Sequence, residues 1–214
     1  MTPGDVISRA RVLMSDACEP LRFSDDVMLG FFNMALAEVF VVRPDLSFTI
    51  ATVQLAANSV VQTIPADGFE FVALHSAGGG AVIEVDKETI DRDRPTWPSD
   101  TATAPKQFMR NVKNPRSYFI HPQVSAPVSA TLEYAKAPSV YTSISTSISE
   151  LSSVFLPVLV FGTVYFSDVV DDEHASSGRA EQMHSKFLQA LTGNQLQRKV
   201  SSQDDAGLQP GSVI

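Results

Sequence analysis

The chain has 214 residues, of which 44% are hydrophobic and 19% charged, and its formal net charge is −8 with a pI of about 4.9. That length and composition support one substantial core or two small ones. The charge balance argues against generic gripping of nucleic acid, because such affinity comes from counterion release at a basic face. No apolar run approaches the roughly 20 residues that cross a bilayer.

The longest apolar candidate, residues 154–165, is interrupted by Pro157 and Gly162. Asp5 and Asp16 stand where a secretory signal excludes acids, so neither export nor a membrane is expected. The single cysteine, Cys18, has no internal disulfide partner, which fits synthesis in a reducing cytoplasm. Asp16 and Glu19 flank it, whereas a nucleophilic thiolate is favoured by positive surroundings. The basic residues are scattered; the densest group, Lys106, Arg110, Lys113 and Arg116, reads as a solvated loop and hairpin. An acidic surface instead suits a passage through which DNA moves without being held.

Thr2, Pro3 and Asp5 form a helix start: a cap, a proline at the first helical position and an acid in the positive first turn. Val6, Ile7, Ala10, Leu13 and Met14 then recur at helical spacing, and a stop is expected near residues 18–20, ahead of Pro20. A second helix starts at Ser24, carries the apolar stripe Met28, Phe31, Phe32, Ala35 and Val39, and ends at Arg43-Pro44-Asp45. Phe23 is placed to pack back on Met28 as a hydrophobic staple.

From Phe48 the period falls to two. Strands are expected at 48–55, 60–64, 69–76 and 81–85, with Gly78-Gly79-Gly80 as a hairpin turn. Residues 86–93 fit one or two helical turns, and 94–105, with Pro95, Pro98 and Pro105, reads as a loop. Strands follow at 106–111, 117–121 and 128–135. Residues 138–153 form a Ser/Thr-rich connection. Pro157 opens a strongly apolar helix to about Val169, and Ala180, Met183, Phe187, Leu188 and Leu191 mark a last helix that Gly193 is expected to stop.

The element order gives an α+β protein. A helical pair (1–46) and a connection with a second pair (139–193) complete a four-helix body. A small antiparallel β-module (47–138) is inserted between them, and residues 194–214 form an extended, polar docking tail ending in Val213 and Ile214.

Chemistry is sparse. There is no phosphate-binding loop, dinucleotide fingerprint or nucleophile elbow. Asp171-Asp172-Glu173-His174 reads as helix-cap acids, since adjacent helical residues point about 100° apart and do not converge on one ion. His174 and His184 stand ten apart, not one turn. No catalytic, cofactor or metal residue is named. Trp97, between Pro95 and Pro98, stacks a ligand or anchors its loop on its own or a neighbouring domain. With Phe161 and Tyr165 of the apolar third helix it is a candidate subunit-interface residue.

Several phrases, in shared order, resemble the tailed-phage head-to-tail adaptor (connector) family, which includes adaptors of short-tailed phages. They are the helix start Phe23-Ser24-Asp25-Asp26-Val27-Met28-Leu29, the helix end Arg43-Pro44-Asp45 and the strand end Ile64-Pro65-Ala66-Asp67. The segment 115–122 with Phe119-Ile120-His121-Pro122, the strand 130–135 and the helix opening Leu156-Pro157 continue the order. The departures are the apolar Val158, Val160 and Phe161 in the third helix and the Ser/Thr stretch 142–149. The resemblance covers residues 2–193. It implies a virion structural protein, made in the host cytoplasm and without a cofactor, that forms a homo-oligomeric ring of about twelve copies. The ring would sit between the portal protein and the tail or other connector proteins, extending the DNA ejection channel without sequence-specific binding. By position, Gln195, Leu196, Arg198, Val200, Leu208, Val213 and Ile214 are the portal-docking candidates. Alternatives are a tail-completion or tail-tube-initiating protein and, from a different class, a small hydrolase using Cys18 or residues 171–174.

Overall fold

The computed structural model of the chain describes residues 1–170 and 177–206, and the side chains of 178–193 within the second segment. In chain order the elements are α1 (Pro3–Met14), α2 (Asp25–Val42), β1 (Phe48–Leu55), β2 (Val61–Thr63), β3 (Gly68–Ala77), β4 (Gly80–Ala81), β5 (Ile83–Glu84) and α3 (Lys87–Asp93). Then come β6 (Thr101–Ala102), β7 (Gln107–Arg110), β8 (Ser117–His121), β9 (Gln123–Val124), β10 (Val128–Lys136), α4 (Leu156–Asp168) and α5 (Ser177–Ala206). The protein is α+β and divides into two compact units, Met1–Arg43 with Pro138–Ile214, and Pro44–Ala137.

In the helical unit, α1 begins with a full capping box. The Thr2 hydroxyl accepts from Asp5 N–H at 3.2 Å, and the Asp5 carboxylate accepts from Thr2 N–H at 2.8 Å. The helix ends at Met14, short of the expected stop at 18–20, because Ser15 turns left-handed (φ 60°) and gives its N–H to the last turn. Val6, Ile7, Ala10 and Met14 are buried, but Leu13, read as part of the same stripe, is 43% exposed. Ser24 caps α2, which buries Met28, Phe32, Ala35, Leu36, Val39 and Phe40. Phe23 stands edge-on to Phe31 at 5.3 Å, a turn beyond the Met28 that the staple expectation named.

Helix α4 packs against α1, α2 and α5. That explains its apolar character on more than one face: Val158, Leu159, Val160 and Val164 are all buried. Gly162 permits the close approach, since a Cβ there would lie 2.8 Å from Ala35 Cβ and 2.9 Å from Phe187 Cε2. On α5, Ala180, Met183, Phe187 and Leu191 supply the buried face. The helix does not stop at Gly193 as the sequence suggested; it runs on to Ala206. Glycine inside a helix costs only about 1 kcal/mol, and the Gln, Leu, Arg and Lys that follow are good helix formers. The extended-tail expectation is therefore corrected for 194–206, while 207–214 lie outside the described residues. The Ser/Thr-rich connection is anchored rather than free. Tyr141, Ile148 and Leu151 are buried, and the Asn33 amide brackets Tyr141 by donating to its C=O and accepting from its N–H, both at 2.9 Å.

In the β-unit, two four-stranded sheets, β1-β10-β3-β4 and β2-β8-β7-β5, share one core. Leu55, Phe71, Leu74, Leu132 and Tyr134 face it from the first sheet; Phe108, Tyr118 and Ile120 face it from the second. Phe71 and Tyr118 stack across the interior at 4.3 Å. β1 and β10 pair without interruption from Phe48↔Ala135 to Leu55↔Val128. Gly78 and Gly79, at φ 58° and 83°, make the β3–β4 turn, a conformation open to glycine at little steric cost. Three features differ from the expectation. The fourth strand is broken, with β4 pairing β3 and β5 pairing β7 of the other sheet, and the buried Val82 between them. The loop 94–105 contains a short 3-10 turn, Trp97–Ser99, and strand β6. Finally, β5–β7 and β6–β9 run parallel, whereas the remaining strand pairs are antiparallel.

Candidate interaction surfaces

Among the described residues, no three His, Cys, Asp or Glu side chains cluster as metal ligands would, and no helix is long and apolar enough to cross a membrane. Cys18 is exposed in the α1–α2 loop. The Asp171–His174 group lies outside the described residues. His184, on α5, stacks on Tyr165 at 4.4 Å and stands 3.8 Å from a Glu38 carboxylate oxygen.

Charged chemistry in the helical unit goes into a clamp that sequence reading did not find. The buried Asp168 carboxylate, at the end of α4, accepts from Arg22 Nη1 at 2.9 Å and from Arg179 Nε and Nη2 at 2.5 and 2.7 Å. The paired geometry of the Arg179 contact is the strong form of such a bond. Hydrogen bonding to Asp168 raises the Arg179 pKa against the opposing effect of burial. A second set joins the α1–α2 loop: Arg11 reaches Asp16 at 2.6 Å, the Phe23 carbonyl at 2.7 Å and Asp25 at 2.9 Å. Asp16 also accepts from Arg22 N–H at 2.6 Å. These carboxylates and guanidiniums saturate one another, which suits a structural role better than a catalytic one.

Trp97 is only 3% exposed. Its indole N–H donates to Asp91 at 2.7 Å, its ring stands edge-on to Phe119 and His121, and the Lys87 ammonium lies 5.8 Å from its centre. It anchors its loop within its own unit. His121 is itself held between Asp100 and Gln107, each at 2.9 Å.

Phe161 and Tyr165 are half-buried on α4. Phe161 lines an open, mostly apolar groove of about 550 Å³ between α1 and α4, with Ser8, Arg9, Val12, Leu13, Leu156, Pro157 and Val160 as its other walls. Lys186 lies 5.8 Å over the Phe161 ring. Val12 is 67% exposed in this groove. Sequence reading missed it because Leu13 fell in the same helical period as the core residues. Of the proposed docking arm, Gln195, Leu196, Arg198 and Val200 lie on the backbone of α5, and Leu208, Val213 and Ile214 lie outside the described residues.

The fold thus offers exposed apolar surface and internally paired charges, with no assembled reactive constellation among the described residues. No curated protein matches the chain. Compared with protein families, residues 1–211 match the family described as SU10 adaptor protein. That match spans almost the whole chain and agrees with the resemblance to phage head-to-tail adaptors: the chain belongs to the SU10 adaptor protein family.

Proposed function

We propose that the protein is a structural virion subunit whose copies close into a ring of about twelve, seated between the capsid portal and the tail. The observation that carries this reading is the adaptor-family match over residues 1–211. The helices of the first unit form the body of the ring, and the segment from residue 194 onward reaches the portal. Two physical features support it. A net charge of −8 disfavours capture of passing DNA by the wall of a channel. Buried Asp16 is paired with Arg11, and buried Asp168 with Arg22 and Arg179, an arrangement that suits scaffolding.

A genetic experiment tests the role. A phage lacking this gene is expected to accumulate DNA-filled heads without tails, and supplying the protein restores tailed, infectious particles. Tailed particles assembled without it would overturn the reading. A tail-completion protein is the alternative in the same class; a gene adjoining the portal gene favours the adaptor.

A further inference from the structure

Helix α2 has an unusual outer face. After the two aspartates that open it, every exposed position is apolar or small: Val27, Gly30, Met34, Ala37 and Val41. Val27 is 44% exposed, Met34 50% and Val41 71%. An ordinary surface helix carries polar residues on this side, and a helix that is apolar all round is a covered helix. The spacing is three, four, three, four, the seam by which one helix packs against others. It runs for about 21 Å along the axis.

The same unit carries a second unfilled apolar surface, the groove between α1 and α4. The charges at the two surfaces are complementary. Arg9, on the groove wall, is exposed, and its charge acts on Asp5 one turn earlier on α1 without a hydrogen bond to it. Lys186 adds a second cation beside Phe161. At the start of the α2 seam, Asp26 is exposed and without a hydrogen bond or ion pair among the described residues. Elsewhere two copies of a chain of charge −8 repel, so contact is favoured where one copy presents uncharged surface and an acid and the next presents apolar surface and cations.

We infer that the α2 seam of one copy seats in the α1/α4 groove of the next, with Asp26 paired to Arg9. The two surfaces are different patches of one subunit, so the contact is head-to-tail, the kind that builds a ring where the rotation between copies closes. This inference rests on the ring reading above and adds which faces meet.

Cysteine cross-linking of the full chain, co-expressed with the portal protein in a Cys18→Ser background, tests it. Val12→Cys is combined in turn with Val27→Cys, Met34→Cys and Val41→Cys, and a short bismaleimide is added. The expected result is a ladder of covalent multimers from at least one pair and none from any single variant. Mixing the matching single variants gives dimers and nothing larger. Rings visible by electron microscopy without a ladder from any pair would overturn the interface and leave the ring reading intact. Cross-links within one chain, or from the seam to the portal protein, would overturn it as well. Absence of rings altogether would remove the ring reading and this inference together.

A charge reversal gives an independent readout. Arg9→Glu and Asp26→Lys each lower ring yield by roughly two- to fivefold per contact, and the double variant restores it. Met34→Asp, at a position exposed in the single copy, leaves the fold unchanged and lowers ring yield by more than about a hundredfold, because the new carboxylate would be desolvated in the apolar middle of the seam. Full assembly of the Met34→Asp variant would contradict the seam.

Discussion

Arg179 holds Asp168 with two parallel hydrogen bonds, tying the start of α5 to the end of α4, while Arg22 holds the same carboxylate from the α1–α2 loop. Asp168 has no side-chain exposure and Arg22 only 7%. Removing one partner of such a set strands the others, so Asp168→Ala is expected to lower unfolding stability by about 3–5 kcal/mol. Urea denaturation measures this. A loss below about 1 kcal/mol would show that the clamp is not needed.

The approach of α4 to α2 and α5 depends on Gly162. A methyl there meets Ala35 and Phe187 at less than 3 Å. Gly162→Ala is expected to destabilise the helical unit by about 1–3 kcal/mol, against the gain of helix propensity that the same change gives in an open helix. Thermal denaturation reads the sign.

Tyr118 is fully buried, stacked on Phe71, and its hydroxyl has no hydrogen-bond partner among the described residues. Burial pushes its pKa well above the ordinary value. Tyr118→Phe keeps the ring and removes the unpaired group, so stability is expected to hold or rise by about 1 kcal/mol. A drop of that size would mean that the hydroxyl has a partner.

The Asp5 carboxyl is held below its ordinary 3.8, first by the Thr2 backbone N–H and then by the Thr2 hydroxyl. A carboxyl with a lowered folded pKa adds stability that is fully present above 3.8 and lost as the pH falls through the folded value. Asp5→Asn is therefore expected to be less stable than the parent chain near neutral pH, with the difference closing in acid below 3.8. A difference that persists unchanged at low pH would contradict the capping-box account.

Much of the fold was legible because its signals are local. Ser24 caps α2 as its sequence neighbours indicate, Pro157 stands in the first turn of α4, and β8 matches its expected bounds. What was not legible depends on distant partners. Arg22 and Asp168 are separated by 146 residues, and neither sits in a motif. The parallel two-residue pairings of β6 with β9 and β5 with β7 have no sequence period to betray them. Ser15 gives no sign of its left-handed turn, since glycine or asparagine is the usual occupant. The outer face of α2 was hidden in plain composition: the inner stripe accounted for its large residues, and the exposed Met34 and Val41 became informative only once burial separated the two faces.

The ring that we propose this chain forms on a portal is tested most directly by electron microscopy of the protein co-expressed with its portal protein. The expected result is a closed ring of the protein, coaxial with the portal and continuing its channel. Portals that remain bare, with the protein dispersed as single copies, would contradict it.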